Sequence, residues 1–279
     1  MRVFNEIQPL KAFLKGKSTG SSVGLVPTMG ALHAGHLSLV AAARAENKLT
    51  VVSIFVNPAQ FNNPTDLEKY PRTLQDDIRL LEGAGCDVLF APAVTEMYQS
   101  PARVQFDFGP LGQTLEGASR PGHFSGVALV VAKLFHLVQP DVAYFGQKDF
   151  QQYKVIEQLV SDLNFNLRLR RMPIYREPDG LAMSSRNARL TPAQRPRAVV
   201  FYEALQMAKE MLAKREPLER VQTAVRKKCE AETDVRLDYL ALVSAANLMP
   251  QRTVTSDSVL LIAGWVGEIR LIDNLLITE

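Results

Sequence analysis

The chain has 279 residues, long enough for two domains, and at 47% hydrophobic and 22% charged it has a folded protein's composition, not a disordered or low-complexity one. Its 32 basic and 29 acidic residues leave a formal net charge of +3, which argues against a nucleic-acid partner and leaves small anionic substrates open. Cys86 and Cys229 lie far apart and fit no metal spacing, no apolar run reaches the roughly 18–20 residues of a membrane span, and MRVFNEIQPLKAFLKGK lacks the apolar region of a signal peptide. A cytosolic protein with reduced thiols and no membrane partner is expected.

In chain order, VGLVP (23–27) and LTVVSIFV (49–56) are continuous apolar, β-branched runs, the pattern of strands buried on both faces. GHLSLVAAARAEN between them predicts a helix. Thr73 is expected to cap a second helix, with Asp76 at N3 and Leu74, Ile78 and Leu81 on one face. GAG (83–85) stops that helix, and CDVLFAP reads as the next strand. SGVALVVAKLFHLVQ (125–139) predicts a buried helix, DVAYFG (141–146) a strand, DFQQYKVIEQLVSDL (149–163) a helix and LRLRRMPIYR (167–176) a strand. This alternation predicts an α/β, Rossmann-like parallel sheet with flanking helices over residues 1–175, with ligands at the carboxyl ends of its strands.

Beyond REPDGLAMSSRN (176–187) the pattern changes. Thr191-Pro192 with Gln194 starts a helix over 195–214, another follows Pro217, and LDYLALVS, SVLLIAGWVG and IRLIDNLLI read as strands. Residues 176–279 are therefore expected to form a smaller C-terminal α+β domain with an antiparallel sheet.

Four stretches carry chemistry. In VPTMGALHAGHLSLV (26–40), Pro27-Thr28-Met29-Gly30 closes a strand, and Gly30 and Gly35 let the backbone approach a ligand closely. The following helix turns its N–H groups and positive dipole end to the same place, and His33 and His36 add two imidazole donors, a set that suits charge developing on a phosphate. Read alone, the stretch is also consistent with a loop histidine beside turn glycines, and zinc lacks a third ligand. FVNPAQFNNP (55–64) sets the neutral amides of Asn57, Gln60 and Asn62 beside Phe55 and Phe61, which suits hydroxyl or carboxylate recognition, although taken alone the stretch reads better as a polar loop. GQKDFQQ (146–152) offers Gly146, a mobile Lys148, Asp149 as a helix cap and Gln152 a turn later, which fits a binding site or equally an ordinary capped helix start with a solvated lysine. LAMSSRN places Ser184, Ser185 and Arg186 in a Gly-led loop at the domain boundary, where they fit a polyphosphate or a surface turn.

Taken together, PTMGALHAGH, FVNPAQF, YPRTLQDD, SRPGHFSGV, YFGQKDFQQ and DGLAMSSRN resemble, in this order and spacing, the pantothenate synthetases. The resemblance is dense over about residues 1–200 and looser beyond. HAGH is similar to the HIGH signature of class I aminoacyl-tRNA synthetases and nucleotidylyltransferases, and MSSRN stands where that superfamily often has KMSKS.

The resemblance implies two half-steps. Pantoate and MgATP give pantoyl adenylate and pyrophosphate; the amine of β-alanine then displaces AMP to give pantothenate. It further implies an ATP site lined by Pro27 and by Met29 to His36, including Gly30 and Gly35, with His33 and His36 donating to phosphate oxygens and His36 as proton donor. Gly146 to Asp149 would hold the nucleotide, Lys148 its phosphates, and Met183, Ser184, Ser185 and Arg186 would close over the triphosphate. Tyr175 would sit beside adenine. Gln60 and Gln152 would hold pantoate, Gln60 also β-alanine, with Asn57 and Phe61 in the same pocket. A homodimer is implied as well, and because acyl adenylates hydrolyse readily, residues 176–279 would act as a lid that excludes water. Three positions depart from the pattern: Ala34 replaces an acidic residue, Gln147 a Glu, and Tyr175 a Val. Two rival readings remain, a nucleotidylyltransferase moving AMP onto a phosphate acceptor and a nucleotide-binding regulator without catalysis.

Overall fold

Five of the expected strands and one further short strand at the N-terminus pair into one sheet, parallel throughout. A computed structural model describes residues 1–16 and 20–277 of the chain. Its strands β1 (Arg2–Phe4), β2 (Val23–Thr28), β3 (Leu49–Ile54), β4 (Val88–Phe90), β5 (Val142–Gly146) and β6 (Arg168–Met172) lie in the order β1-β4-β3-β2-β5-β6. The helices beside it are α1 (Ile7–Lys15), α2 (Ala34–Glu46), α3 (Leu74–Gly83), α4 (His123–Val138) and α5 (Phe150–Asp162).

Successive strand residues point to opposite faces, and both faces are covered. Leu25, Val51, Ala143 and Phe145 enter one core with Leu10, Phe135 and Ile156. Val26, Val52, Val142 and Tyr144 enter the other with Leu39, Val40 and Leu81. From β2 the chain order runs outward through β3 and β4 on one side and β5 and β6 on the other, with β1 added at the edge beside β4, so the order reverses between β2 and β5. In such sheets the carboxyl ends at that reversal frame a binding crevice; here they are Thr28 and Gly146, with Ile54 of β3 alongside.

The chain divides into two compact units, Met1–Gly146 with Gln151–Met172, and Gln147–Phe150 with Pro173–Glu279. In the second, α6 (Gln194–Arg197), α7 (Val200–Ala213) and α8 (Leu218–Glu230) accompany an antiparallel sheet β7-β8-β9 of Val235–Ser244, Ser258–Val266 and Ile269–Leu276. Phe201, Leu205, Val221, Val225, Leu260 and Ile262 form its core.

Local differences from the sequence reading have physical causes. The strand expected over 167–176 stops at Met172, because Pro173 has no N–H for the ladder. The helix expected over 195–214 is interrupted between α6 and α7, where the Val199 N–H bonds to Pro196 three residues back at 3.3 Å. Its start is as expected: Gln194 N–H donates to Thr191 Oγ1 at 3.3 Å, and Thr191 N–H donates back to Gln194 Oε1 at 3.2 Å. Thr73, by contrast, makes no side-chain cap; its hydroxyl reaches Asp77 Oδ1 at 3.4 Å, and Asp76 pairs with Arg79.

Candidate active site

Beyond β2 the chain passes through two left-handed residues, Gly30 (φ +81°) and Ala31 (φ +49°). A Cβ on Gly30 would lie 3.0 Å from Asp77 Oδ2, so this turn sits tight against α3. Asp77 is buried, and its carboxylate accepts the Ala31 N–H on Oδ2 at 3.0 Å and the Leu32 N–H on Oδ1 at 2.8 Å. Two charge-assisted bonds thereby hold the left-handed turn that delivers His33 to the first turn of α2.

His33 is the N-cap of α2 and His36 its N3 residue, with the two rings 4.0 Å apart between centroids. The backbone N–H of His33 donates to His36 Nδ1 at 3.4 Å. An imidazole nitrogen that accepts carries no proton, so in the neutral ring this bond assigns the proton to Nε2. His36 thus offers an N–H donor beside the positive end of α2.

Beyond β3, Asn57 and Gln60 flank a short turn. Asn57 is fully buried: Oδ1 accepts from the Tyr98 hydroxyl at 2.9 Å and Ala59 N–H at 3.3 Å, and Nδ2 donates to Gly126 O at 3.0 Å and Gln60 Oε1 at 3.1 Å. With its oxygen so engaged, the Gln60 amide directs Nε2 to Met29 Sδ at 2.9 Å. The Gln60 carbonyl takes a 2.8 Å bond from buried His123 Nδ1, while Arg120 reaches His123 Nε2 at 3.3 Å. A carbonyl only accepts and a guanidinium only donates, so these partners select a neutral His123 with its proton on Nδ1. Phe61 packs edge-on against Tyr70 and adds no polar group.

On α5, Gln151 and not its neighbour is tied down. Its Nε2 donates to Leu111 O at 2.8 Å and Thr114 O at 2.9 Å, and Oε1 accepts Glu116 N–H at 3.0 Å. Gln152 is half-buried.

In the second unit, Lys148, Leu181, Ala182, Ser184, Tyr202 and Asp273 line one small pocket. The Lys148 ammonium is mostly covered and lies 3.8 Å from Asp149 Oδ1. The loop from Tyr175 to Asn187 is closed on itself: Met183 N–H donates to Tyr175 O at 3.0 Å, Asn187 Nδ2 to Ala182 O at 3.1 Å, and Arg186 N–H to Ser184 Oγ at 3.3 Å. Arg195 bridges Glu177 at 2.6 Å and Asp179 at 2.9 Å, and its hydrogen bond holds the Asp179 carboxyl below the usual carboxylate value. Tyr175 is exposed.

The first unit therefore brings Met29 to Gln60 and His33 to His36, and the second brings Lys148 to Ser184. Sequence reasoning passed over Asp77, Tyr98, His123, Asp273 and Asn274. Asp77 and His123 stand inside quoted motifs, YPRTLQDD and SRPGHFSGV; a polar pair within the apolar run IRLIDNLLI was the available signal for the last two.

The chain as a whole matches known proteins. The family described as Pantoate-beta-alanine ligase matches residues 2–276. A pantothenate synthetase of Aquifex aeolicus is 46% identical over 275 residues, covering 98% of this chain and 97% of that one. The crystal structure of the Thermus thermophilus pantothenate synthetase superposes with a TM-score of 0.94 at 46% identity, covering 100% of both chains. A pantoate-beta-alanine ligase from Francisella tularensis, complexed with beta-gamma ATP and beta-alanine, gives 0.86 at 35% identity over 100% of this chain and 98% of its own.

Proposed function

The chain belongs to the pantoate-beta-alanine ligase family, enzymes of the ATP-dependent condensation of pantoate with β-alanine, and we propose that it proceeds through a pantoyl adenylate. A pantoate carboxylate oxygen attacks the α-phosphorus of ATP, the α–β bridging P–O bond breaks, and pyrophosphate leaves. The β-alanine amine then attacks the acyl carbon, loses a proton, and AMP departs with the former carboxylate oxygen.

Both half-steps need charge stabilisation more than a covalent enzyme group. The observation that carries the reading is the His33–His36 pair at the head of α2, on a turn held by buried Asp77. In this reading Met29 to His36 and Pro27 line the nucleotide site, and the Nε2–H of His36 donates to a phosphate oxygen as negative charge grows there. Lys148 adds a cation to the phosphates, and Gly146, Asp149, Tyr175 and Met183 to Arg186 complete the nucleotide's partners. Gln60, with Oε1 committed to Asn57, presents its amide N–H to pantoate and later to β-alanine; Gln152 is pantoate's second amide. Asn57 acts here by fixing Gln60, since its own polar atoms are spent inside the protein.

Mg²⁺ belongs to this proposal as part of the ATP substrate. Among the described residues no three His, Cys, Asp or Glu side chains gather into a metal site, which suits a cation carried by phosphates rather than by a protein cage. Two buried free thiols, and the lack among the described residues of any helix long and apolar enough to cross a membrane, suit the cytosolic setting in the same reading. A homodimer is its remaining element, to be read from sedimentation. The decisive assay supplies ATP, pantoate and β-alanine singly and together: AMP accumulates only with all three, and AMP formation indifferent to omission of pantoate would refute the scheme.

A further inference from the structure

The last strand contains an anomaly. Within β9, Asp273 and Asn274 are consecutive, polar and buried, at 5% and 1% exposure, in a run otherwise of Ile, Leu and one Arg. Burying such groups is unfavourable unless each polar atom finds a partner. Those partners are specific. Asn274 Nδ2 donates to Gln147 O at 2.9 Å and to Lys148 O at 3.0 Å, and Oδ1 accepts from Gln147 Nε2 at 3.2 Å. The neighbouring carboxylate grips Arg176 through both terminal guanidinium nitrogens, at 2.6 Å and 2.9 Å, and Arg176 begins the loop that ends in Ser184–Arg186.

We propose that Asn274 is a positioning residue for Lys148, fixing the two carbonyls of its turn and so the point from which the lysine reaches the phosphates. Both N–H bonds of one amide are committed to consecutive carbonyls, so the amide has one usable orientation; reversed, its oxygen would face two other oxygens. The turn at 147–149 is a single 3₁₀ turn of three residues, and short turns of this kind have little internal rigidity of their own. Its fixed point is the strand 127 residues further along the chain. Asp273, through Arg176, anchors the second phosphate-facing segment from the adjacent position, so two neighbouring residues of β9 hold both. This inference rests on the reading that Lys148 contacts the phosphates.

The test is pantoate-dependent exchange of labelled pyrophosphate into ATP, measured for Asn274→Ala, Asn274→Ser, Lys148→Ala and the two corresponding double variants, at a temperature where each gives the wild-type circular dichroism spectrum. A lysine displaced by about an ångström loses much of its effect. Asn274→Ala is therefore expected to lower exchange turnover about tenfold or more, and Asn274→Ser, which keeps one short donor, to lose less. On the Lys148→Ala background each change is expected to alter turnover less than about twofold, because nothing is left to position; this non-additivity separates positioning from a merely structural part. Normal turnover in Asn274→Ala overturns the proposal. So does an equal loss with and without Lys148. Near-normal exchange in Lys148→Ala alone refutes instead the phosphate role assigned to the lysine, and with it the premise.

Discussion

His36 has one nitrogen committed before any substrate arrives. Its Nδ1 takes the His33 N–H, so the ring can serve the reaction only through Nε2, and its direction is set by the helix cap. That cap is in turn delivered by a turn with two residues at positive φ, which two backbone bonds to Asp77 stabilise. Replacing the ring removes a donor aimed at developing phosphate charge, an effect of 10²-fold or more where such donors have been deleted, or about 3 kcal/mol. His36→Ala is expected to lose at least that factor in pantoate-dependent pyrophosphate exchange while unfolding near the wild-type midpoint. Exchange within a few-fold of wild type would contradict the role. At this scale the histidines, Gln60 and Lys148 could be read as candidates directly, because their chemistry is a property of the side chain. Asp77, His123 and Asn274 could not: each is defined by a backbone partner 45, 63 or 127 residues away.

Among elements, the packing of α4 on the turn at Pro58–Gln60 decides where the Gln60 amide sits. A Cβ on Gly126 would fall 2.1 Å from Ala59 O and 2.7 Å from Gln60 N, inside contact distance with backbone that has no flexible end to yield. The same glycine's carbonyl receives Asn57 Nδ2, so helix and turn are coupled twice. Gly126→Ala must push them apart, at an overpacking cost of about 1–3 kcal/mol partly offset by the better helix propensity of Ala. The expected result is a lower unfolding midpoint together with a raised KM for pantoate and little change in KM for ATP. If the pantoate KM stays at the wild-type value, the coupling of α4 to Gln60 is wrong. The strands β2, β3 and β5 were legible because strands buried on both faces leave unbroken apolar runs. β1 was not, since three residues carry no period and its strand character comes from pairing with β4. The break between α6 and α7 was equally hidden: α-helical φ and ψ persist at Ala198 and Val199, and only the bonding shifts to i→i−3.

For the whole molecule, burial of weak acids sets how stability responds to alkali. Burial pushes the Cys86 thiol up to about 11 from an ordinary 9.0, and the Cys229 thiol up to about 12. It likewise raises the Tyr98, Tyr144 and Tyr153 hydroxyls from 10.0 to about 12, with a further push on Tyr144 from its bond to Glu46 and on Tyr153 from the nearby Glu157 charge. In the unfolded chain these groups release protons from about pH 9 upward, whereas the folded chain retains them. Between about pH 9 and pH 12 the folded state therefore binds more protons, and stability must fall as pH rises; below about pH 9 both states hold the same protons and these groups contribute no slope. The urea midpoint is accordingly expected to be level from neutral pH to about pH 9 as far as these groups are concerned, and to decline beyond it. Cys86 lies in a core of the first unit and Cys229 in that of the second, so removing either thiol with alanine should make the decline shallower. A midpoint unchanged through pH 11 would mean that the thiols and phenols are not buried as described. Tyr98 connects this response to the proposed chemistry: its hydroxyl proton is the one donated to Asn57 Oδ1, and Asn57 orients Gln60. With the hydroxyl pushed up to about 12, that bond is expected to persist through the lower part of the window, so pantoate binding measured between about pH 9 and pH 10 should not weaken through loss of the Tyr98 proton.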